Sequence, residues 1–397
     1  MKHYIFLRIL RKNCGWGGFE KRLLEYFESV DYTKTRVTLV TNFDIHSGRI
    51  RQKGLPVEVK LFPLANPSKP HMPLGARYRF LASLKPDVIV LTQGAFTDFI
   101  LSDFWAAFMV CPGRIYSLEA LGAPEPPARS HKKFFSFIPG FGLWWYKHML
   151  ACGLKGWLCR YIVCNGNDSR DRLVKWYGYP RHKTVTVYHG VDLEVFHPDA
   201  MAKARLRHSW GIGPGDKVIV STARLSPEKR IDRLIDAFGE IDGVPSSWLF
   251  LVGEGPLRKD LERLAGTKKN AGRIVFVGFQ ECVMDFLQMS DIFALPSDIE
   301  GLSNAMLEAM AVGLVPVVTD VPGAGEAMQN GVNGFIVQKS TQDMYAGLRR
   351  ALMLSGQEAR EISSKARECI LTRFNQERGT RETLERLGMA QKQLPLN

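Results

Sequence analysis

The stretch DIFALPSDIEGLSNAMLEAMAVGLVPVV, residues 291–318, combines two short apolar runs with a polar loop and a helical pattern between them. This order predicts strand, loop, helix and strand, which is the βαβ unit of a parallel sheet. Glu300 precedes the helix and Glu308 lies about one turn into it, so two carboxylates surround a helix N-terminus that attracts anions. The arrangement suits a ligand with hydroxyls and phosphates. The plainer interpretation is a loop acid and a solvated helix residue.

The same alternation of apolar runs and amphipathic stretches extends along the chain in two sets. A turn-rich segment at 189–198 and a Gly and Pro cluster at 211–215 separate the sets. Each set predicts a mainly parallel sheet with helices on both faces. The strand-like runs are 4–7, 36–40, 87–91, 161–164 and 184–187 in the first set, and 217–221, 248–252, 273–277, 291–295 and 315–318 in the second.

A chain of 397 residues is long enough for two domains, each with its own core. We expect an N-terminal Rossmann-like domain at 1–188, a linker region at 189–215 and a C-terminal Rossmann-like domain at 216–370. The helical tail at 371–397 is expected to pack back on the first domain. Because ligands of open parallel sheets bind beyond the carboxyl ends of the strands, two facing domains would form a cleft.

The composition is that of a globular protein, with 45% apolar and 23% charged residues. Seven cysteines include no CxxC pair and no His at metal-ligand spacing, so neither a disulfide framework nor a zinc site is indicated. No apolar run reaches the roughly 18 residues of a spanning helix, and no signal peptide is recognisable. These features favour a cytoplasmic protein.

The net charge of +13 is unevenly distributed. Residues 1–190 hold 28 Lys and Arg against 13 Asp and Glu, whereas residues 191–397 hold 25 against 27. This asymmetry predicts an anionic partner for the first half, either nucleic acid or an acidic membrane surface.

Two strand-to-helix loops stand out for chemistry. The first, NCGWGGFE at 13–20, allows close approach of backbone to a ligand, but Glu20 stands where a dinucleotide GxGxxG motif needs glycine, which disfavours a nicotinamide or flavin cofactor. The second, ARLSPEKR at 223–230, offers the planar fork of Arg224 and the point charge of Lys229, both suited to a pyrophosphate. Each loop also has a plain reading as a turn or a solvated basic segment.

From 223 to 337 the sequence resembles the retaining glycosyltransferases of family four, which have the GT-B fold of two facing Rossmann-like domains. ARLSPEKR, the VGEGP turn at 252–256, the two glutamates spaced by seven residues and NGVNGFIV ending at Val337 carry the resemblance. In the first half, WGGFEKRLLEYF and VTVYHGVDLEVFHP match more loosely.

The resemblance implies a role for each matching position. Arg224 and Lys229 correspond to the diphosphate-binding pair, Glu308 to the ribose-binding carboxylate and Glu300 to the acid beside the donor sugar. Where many relatives carry a His, this chain has Glu119 in a loop after the fourth strand, where it contacts sugar or acceptor or only caps a helix. The remaining positions expected to bind substrate are Gly17, Gly18, Gly253, Phe279, Leu302, Ser303 and Asn304.

The implied reaction is metal-independent transfer of a hexose with retention from a nucleotide diphosphate sugar, with UDP-sugar expected. No cofactor is needed, and the leaving phosphate takes the acceptor's proton, so that no strong general base is required. The acceptor is expected to be a glycan, lipid-linked as in lipopolysaccharide, capsule or exopolysaccharide synthesis. A soluble small-molecule or protein acceptor is the alternative, and an epimerase acting on the same kind of sugar nucleotide is the alternative from another class.

Residues 130–160 interleave aromatic side chains with Lys, among them Lys132, Lys133, Trp144 and Trp145. This mixture is typical of a membrane interface, and with the basic first half it predicts peripheral binding to the inner face of the cytoplasmic membrane. The same aromatics would also fit the core of the first domain. Stacking on single-stranded nucleic acid lacks any supporting motif, so no nucleic-acid partner is expected.

Overall fold

The computed structural model describes residues 1–9, 18–62, 73–93, 101–119, 141–242 and 246–392, without the side chains of 141–149. The chain divides into two compact units. The first unit comprises 1–188 together with 379–397, and the second comprises 189–378.

In the described part of the first unit, seven parallel strands form one sheet in the order β3-β2-β1-β4-β5-β6-β7. The central strands are rich in Val, Ile and Leu because both faces of a parallel sheet are buried. The strands are β1 (Lys2–Arg8), β2 (Thr35–Thr41), β3 (Val57–Leu61), β4 (Val88–Gln93), β5 (Ile115–Glu119), β6 (Tyr161–Cys164) and β7 (Thr184–Thr186).

Helices cover both faces of this sheet and bury two separate clusters. One cluster contains Ile5 and Ile89, and the other contains Tyr4, Phe6 and Val90, as expected for alternating side chains of buried strands. The described helices of this unit are α1 (Gly18–Glu28), α2 (Ser47–Gln52), α3 (Leu74–Ser83), α4 (Leu101–Val110), α5 (Phe141–Leu158) and α6 (Asn167–Tyr177).

The second unit repeats the architecture with a six-stranded parallel sheet in the order β10-β9-β8-β11-β12-β13, counted over its described residues. The strands are β8 (Lys217–Thr222), β9 (Ser247–Val252), β10 (Ile274–Gly278), β11 (Ile292–Leu295), β12 (Val315–Thr319) and β13 (Phe335–Val337). The helices are α7 (Ala200–Ser209), α8 (Ile231–Gly239), α9 (Arg258–Gly266), α10 (Met284–Met289), α11 (Asn304–Val312), α12 (Ala324–Ala327), α13 (Thr341–Leu352), α14 (Gly356–Arg373) and α15 (Gln376–Leu387).

The alternating pattern therefore identified the fold class correctly, as two Rossmann-like parallel-sheet domains. It did not identify β3, β5 and β13 as strands. In β3, Glu58 and Lys60 interrupt the apolar pattern, whereas β13 is apolar but has only three residues. Strand β5 was read as a loop because a Ser and a Glu interrupt its apolar pattern.

Residues 189–215, expected as a linker region, lie inside the second unit and include helix α7. Lys203 and Arg207 of α7 both form ion pairs with Asp291, whose carboxylate also accepts from the backbone N–H of Val218 at 2.9 Å. Burial disfavours the charged form of Asp291, but these two cations hold the pKa of its carboxyl below the ordinary value. Ion pairs thus hold this segment against the second unit, and the turn-rich composition of the segment does not predict them.

Helix α15 carries the chain from the second unit into the first at residue 379. Leu384, Leu387 and Met389 then belong to the same buried cluster as Tyr4 and Phe6. The Tyr4 hydroxyl donates to the carbonyl oxygen of Gly388 at 2.5 Å. The C-terminal residues are therefore an integral part of the first unit's core.

Candidate functional site

In the second unit, the strand order places β8 between β9 and β11. From β8 the chain proceeds outward to β9 and β10, then returns to the other side of β8 with β11. This reversal is a topological switch point, where the loops after neighbouring strands diverge and leave a crevice at the carboxyl edge. The loop after β8 carries Arg224 and Lys229, and the loop after β11 carries Glu300.

The loop after β8 is held against the loop after β9 by extended backbone pairing. The N–H of Leu225 donates to the carbonyl oxygen of Glu254 at 2.9 Å, and the N–H of Leu257 donates to that of Leu225 at 3.1 Å. Gly253 has φ +146°, and a Cβ there would lie 2.0 Å from the carbonyl oxygen of Ala223. Glycine at 253 is therefore required for this close approach of two loops.

Lys229 and Glu300, predicted for separate tasks, form an ion pair between Lys229 Nζ and Glu300 Oε1. The buried Ser297 hydroxyl donates to the same oxygen at 3.3 Å. Both side chains are mostly buried, with 22% of the Lys229 side chain and 12% of the Glu300 side chain exposed. The pair fixes the position of a cation and a carboxylate at the switch point before any ligand arrives.

Arg224 differs from Lys229 because its side chain is exposed. It lies near Glu228, which accepts a hydrogen bond from the Ser226 hydroxyl at 2.6 Å. Partial burial opposes ionisation of Glu228, but this hydrogen bond and the charges of Lys229 and Arg224 lower the pKa of its carboxyl. The exposed guanidinium of Arg224 is thus accessible to a ligand from solution.

Asp298 ties the two loops together. The buried Arg233 donates to Asp298 Oδ1 at 2.7 Å and to the carbonyl oxygen of Pro296 at 2.6 Å, and Arg230 donates to Asp298 Oδ2 at 3.0 Å. Burial opposes ionisation of Asp298, but the two arginines hold the pKa of its carboxyl below the usual value. Arg230 has φ +50° and ψ +43°, a left-handed conformation that is uncommon outside glycine. The loops around the Lys229 and Glu300 pair are therefore rigidly supported.

Helix α11 begins beside Glu300 with a regular N-cap. The Ser303 hydroxyl accepts from the N–H of Met306 at 3.4 Å, and Gly313 ends the helix in the left-handed conformation. Leu302 and Ser303 are buried, whereas Asn304 and Glu308 are half-buried. The backbone before this helix is fixed by close packing, because a Cβ on Gly323 would lie 2.0 Å from the carbonyl oxygen of Gly301.

Phe279 follows β10 at the same edge of the sheet, with 64% of its surface exposed. Gly278 before it has φ +86°, and its carbonyl oxygen accepts from the N–H of Gly253 at 2.9 Å. The structure therefore brings Lys229 and Glu300 into contact and places Arg224, Gly253, Phe279 and the start of α11 along one edge. Glu308 lies about one turn into α11, on the element that starts there.

In the first unit, Glu119 ends strand β5; its expected place in a loop is wrong, because backbone pairing with β4 and β6 extends through it. Its carboxylate is buried and accepts from Lys155 Nζ and, at 2.7 Å, from the Ser117 hydroxyl. Burial alone would lower the pKa of Lys155, but the Glu119 carboxylate raises it, so the ammonium stays charged.

Lys155 and Asp298 are the residues that sequence reasoning missed. Lys155 lies in the segment interpreted as membrane-facing, yet only 1% of its side chain is exposed. The hint in the sequence is its spacing: Cys152 lies three residues before Lys155 on α5, and Cys159 lies four residues after it, directly beyond the end of the helix. Both cysteines are buried with it. For Asp298, the only hint of an ion pair in the sequence is the presence of two arginines at 230 and 233.

Gly18 opens helix α1, whereas Gly17, Lys132 and Lys133 lie outside the described residues, as do the side chains of Trp144 and Trp145. Among the described residues, no group of three or more His, Cys, Asp or Glu could hold a metal ion. In the same part of the chain, no helix is long and apolar enough to cross a membrane.

Both halves of the chain match glycosyltransferase families. Residues 202–369 match "Glycosyl transferases group 1", and residues 16–195 match "Glycosyltransferase Family 4". The chain belongs to the family-four type of glycosyltransferases. The first match contains Arg224, Lys229, Glu300 and Glu308, which are the residues arranged around the switch point.

Relatives with an assigned activity match about half of the chain. N-acetyl-alpha-D-glucosaminyl L-malate synthase of Bacillus anthracis is 28% identical over 50% of this chain and 52% of its own length. UDP-Gal:alpha-D-GlcNAc-diphosphoundecaprenol alpha-1,3-galactosyltransferase of Escherichia coli is 28% identical over 54% of this chain and 56% of its own. A GDP-mannose-dependent alpha-(1-6)-phosphatidylinositol monomannoside mannosyltransferase of Mycolicibacterium smegmatis is 37% identical over 39% and 43%. The chain thus spans about half the length of these relatives.

Solved structures match over nearly the whole chain. HepE of Anabaena in complex with UDP has 20% sequence identity and a TM-score of 0.75, covering 98% of this chain and 100% of that one. WaaG, a glycosyltransferase involved in lipopolysaccharide biosynthesis, has 15% identity and a TM-score of 0.71, covering 97% and 99%. At these identities the likeness establishes the fold, which is GT-B.

Proposed function

We propose that this protein is a retaining, metal-independent hexosyltransferase that transfers a sugar from a UDP-sugar to a lipid-linked glycan of the lipopolysaccharide, capsule or exopolysaccharide type. The observation that carries this proposal is the ion pair between Lys229 and Glu300 at the switch point of the second unit. A cation and a carboxylate held together beside a helix N-terminus suit a ligand with both phosphates and hydroxyls.

The proposed donor site assigns the diphosphate to Lys229 and Arg224. Lys229 exchanges its Glu300 partner for the departing phosphate, on which negative charge increases in the transition state, and Arg224 adds its planar donor fork. Because both groups are cations placed before the reaction, they supply the charge for departure of the diphosphate without a metal. Glu300, released from Lys229, accepts hydrogen bonds from hydroxyls of the transferred sugar.

Other residues at the carboxyl edge of the second sheet would bind the rest of the donor. Glu308 accepts from the ribose hydroxyls, the backbone at Leu302, Ser303 and Asn304 meets phosphate or sugar, and Phe279 borders the base. Gly253 and, in the first unit, Gly17 and Gly18 allow backbone to approach the donor. Glu119 remains a predicted catalytic residue that would contact the sugar or acceptor.

Uracil and a lipid-linked acceptor are favoured by similar proteins. The names of the Escherichia coli relative and of the HepE complex contain UDP, and two of the relatives named above act on lipid-linked or lipid acceptors. The name of the Bacillus anthracis relative contains L-malate, which supports a soluble small-molecule acceptor as the second candidate.

Membrane binding is proposed for the first unit. Leu150, Leu154 and Trp157 are spaced along one face of α5 and are 56%, 42% and 59% exposed. Helix α4, which packs beside α5, exposes Met109, and Arg160 is exposed at the end of α5. Exposed apolar side chains beside the cationic Arg160 suit the headgroup region of an anionic bilayer, which supports the proposal of peripheral binding to the cytoplasmic face of the membrane.

The enzymatic proposal is tested by incubating the protein with UDP-glucose, UDP-galactose, UDP-N-acetylglucosamine and GDP-mannose, with EDTA present. We expect slow release of UDP from at least one UDP-sugar and, by NMR, the α-anomer as the first sugar product. Conversion of the sugar while it stays on the nucleotide would instead indicate an epimerase. Absence of both nucleotide release and conversion with every donor would contradict the proposed reaction.

Membrane binding is tested by sedimentation with phosphatidylglycerol vesicles. We expect binding that weakens with salt and falls in the double variant Leu154→Ala, Trp157→Ala. Met201→Ala is the matched control, because Met201 is 82% exposed on α7 of the second unit. Equal binding by the double variant and the control would remove α5 from the interface.

A further inference from the structure

A small pocket lies in the first unit at the carboxyl ends of β5 and β6. Helix α1 lines it with Phe19, Arg22 and Tyr26, and the strand ends line it with Glu119 and Asn165. In an open parallel sheet this edge is where ligands bind. Arg22 has no part in the donor site proposed for the second unit.

Arg22 is buried in this pocket, with 8% of its surface exposed. Its Nε atom has no hydrogen-bond partner, and within the described residues no ion pair reaches its guanidinium. Burial lowers the pKa of Arg22, although Glu25 and Tyr26 favour the charged form electrostatically. An arginine stays protonated in proteins, so a buried cation with five N–H donors faces the pocket.

Other buried cations of the same unit are paired. Arg8 donates to Glu20 at 2.8 Å, Arg77 pairs with Asp103, and Lys155 pairs with Glu119. Unpaired burial of a charge is costly, and the neighbouring cations show how this unit offsets that cost. The absence of such a partner at Arg22, within the part of the chain that the structure describes, points to a partner that arrives with a ligand.

The pocket's other polar groups fit an anion. Glu119 is the acid lining it, and its charge is already offset by Lys155. Asn165 accepts from the Ser169 hydroxyl at 3.5 Å through its amide oxygen, which leaves its NH2 group as a donor. Tyr26 is engaged with Thr383. Donors and positive charge therefore dominate the pocket.

We propose that this pocket binds an oxyanion, a carboxylate or phosphate group of the acceptor, and that Arg22 determines the specificity for charged acceptors. The reference to an acceptor rests on the proposed glycosyltransferase function. The anion site itself rests only on the geometry of the first unit.

The test uses the full chain with inorganic phosphate, pyrophosphate and malonate as probes, at constant ionic strength with saturating UDP present. Arg22→Met keeps the length of the side chain without its charge, and Arg181→Met removes an exposed arginine of the same unit as control. By calorimetry, we expect Arg22→Met to weaken binding of at least one anion about tenfold or more, because hydrogen bonds to a charged group are lost, and the control to leave it unchanged. Tighter binding of pyrophosphate indicates a phosphorylated acceptor, and tighter binding of malonate a carboxylated one.

Thermal unfolding without anion separates a ligand-binding role from a structural one. We expect Arg22→Met to unfold at the same temperature as the wild type or higher, because it removes an unpaired buried charge. A lower unfolding temperature together with an unchanged anion affinity would overturn the inference, as would wild-type protein that binds no anion under saturating UDP. UDP binding is measured in the same preparation: its failure counts against the donor site of the second unit, whereas failure of the anion titrations counts against the pocket of the first.

Discussion

The two units share an architecture but differ in whether the ion pairs at the carboxyl edge of the sheet are partly exposed or buried. At the loop edge of the second unit, Lys229 pairs with Glu300, and Asp298 pairs with Arg230 and with the buried Arg233 of α8. Apart from Arg233, these side chains are partly exposed. In the first unit, the ion pairs of Arg8 and Lys155 are buried and Arg22 is buried without a partner among the described residues. In the proposed sites, the preformed pair of the second unit exchanges one member for a ligand, whereas the unmatched cation of the first unit takes its opposite charge from the ligand.

Replacing Lys229 by Met tests the second unit's exchangeable pair and should have the largest effect. In the proposed reaction this cation stabilises developing charge on the leaving phosphate, so we expect kcat for UDP release to fall by about 100- to 1,000-fold. Initial rates at saturating UDP-sugar measure this loss. Lys259→Met, at an exposed position on α9, should retain the wild-type rate, and equal rates in both variants would remove Lys229 from the reaction.

Acidification tests the buried groups of the first unit. Burial lowers the pKa of His46 from an ordinary 6.5 to about 4. Between these pH values the imidazole is protonated in the unfolded chain but neutral in the folded chain. The free energy of unfolding should therefore fall as pH drops from 6.5 to 4, by on the order of 3 kcal/mol, with no further loss from this residue below that window. Urea unfolding of the wild type and His46→Gln at several pH values measures it. An equally steep pH dependence in the variant would contradict the assignment.

Gly253→Ala tests whether the donor-side loops depend on close backbone packing. The new Cβ would lie 2.0 Å from the carbonyl oxygen of Ala223 at φ +146°, so we expect a loss of roughly 1–3 kcal/mol in the free energy of unfolding. Gly272→Ala is the matched control, because a Cβ there meets nothing within 4 Å and its φ is not positive. Thermal melts of the two variants should differ clearly. Coincident melts would show that the two loops can separate without cost.

Glu308→Gln should have the smallest of these effects, on donor affinity and not on the chemical step. Replacing the carboxylate keeps the shape but weakens hydrogen bonds from hydroxyls, so we expect UDP to bind about tenfold more weakly. Calorimetric titration with UDP measures the change. Glu361→Gln on the exposed side of α14 is the control. If Glu308→Gln binds UDP as tightly as the control, the ribose lies elsewhere.

The sequence predicted the second unit better than the first for physical reasons. Its strand-like ranges 217–221, 248–252 and 291–295 each contain at least three consecutive apolar residues. Loops with charged residues follow these ranges, so both strand and site were visible. Strand β5 was missed because Ser117 and Glu119 interrupt its pattern. The coupling of Lys229 to Glu300 could not be predicted, because it depends on β8 and β11 being neighbours in the sheet although about 70 residues separate the pair.

The burial of Arg22 could not be predicted from the sequence either. In the helical pattern of α1 it reads as one more basic residue beside Lys21, and its burial depends on packing against the ends of β5 and β6. Likewise, the partnership of Glu119 with Lys155 joins a strand end to a helix 36 residues later. Pairings of this kind arise from tertiary packing, which local periodicity does not encode.

Hydrogen exchange with and without UDP tests whether the nucleotide diphosphate binds at the switch point of the second unit. We predict that saturating UDP slows amide exchange in 224–230 and 300–308, while equimolar GDP protects these segments less. Protection confined to other segments, or no protection at UDP concentrations close to saturation, would show that the nucleotide does not bind at this switch point.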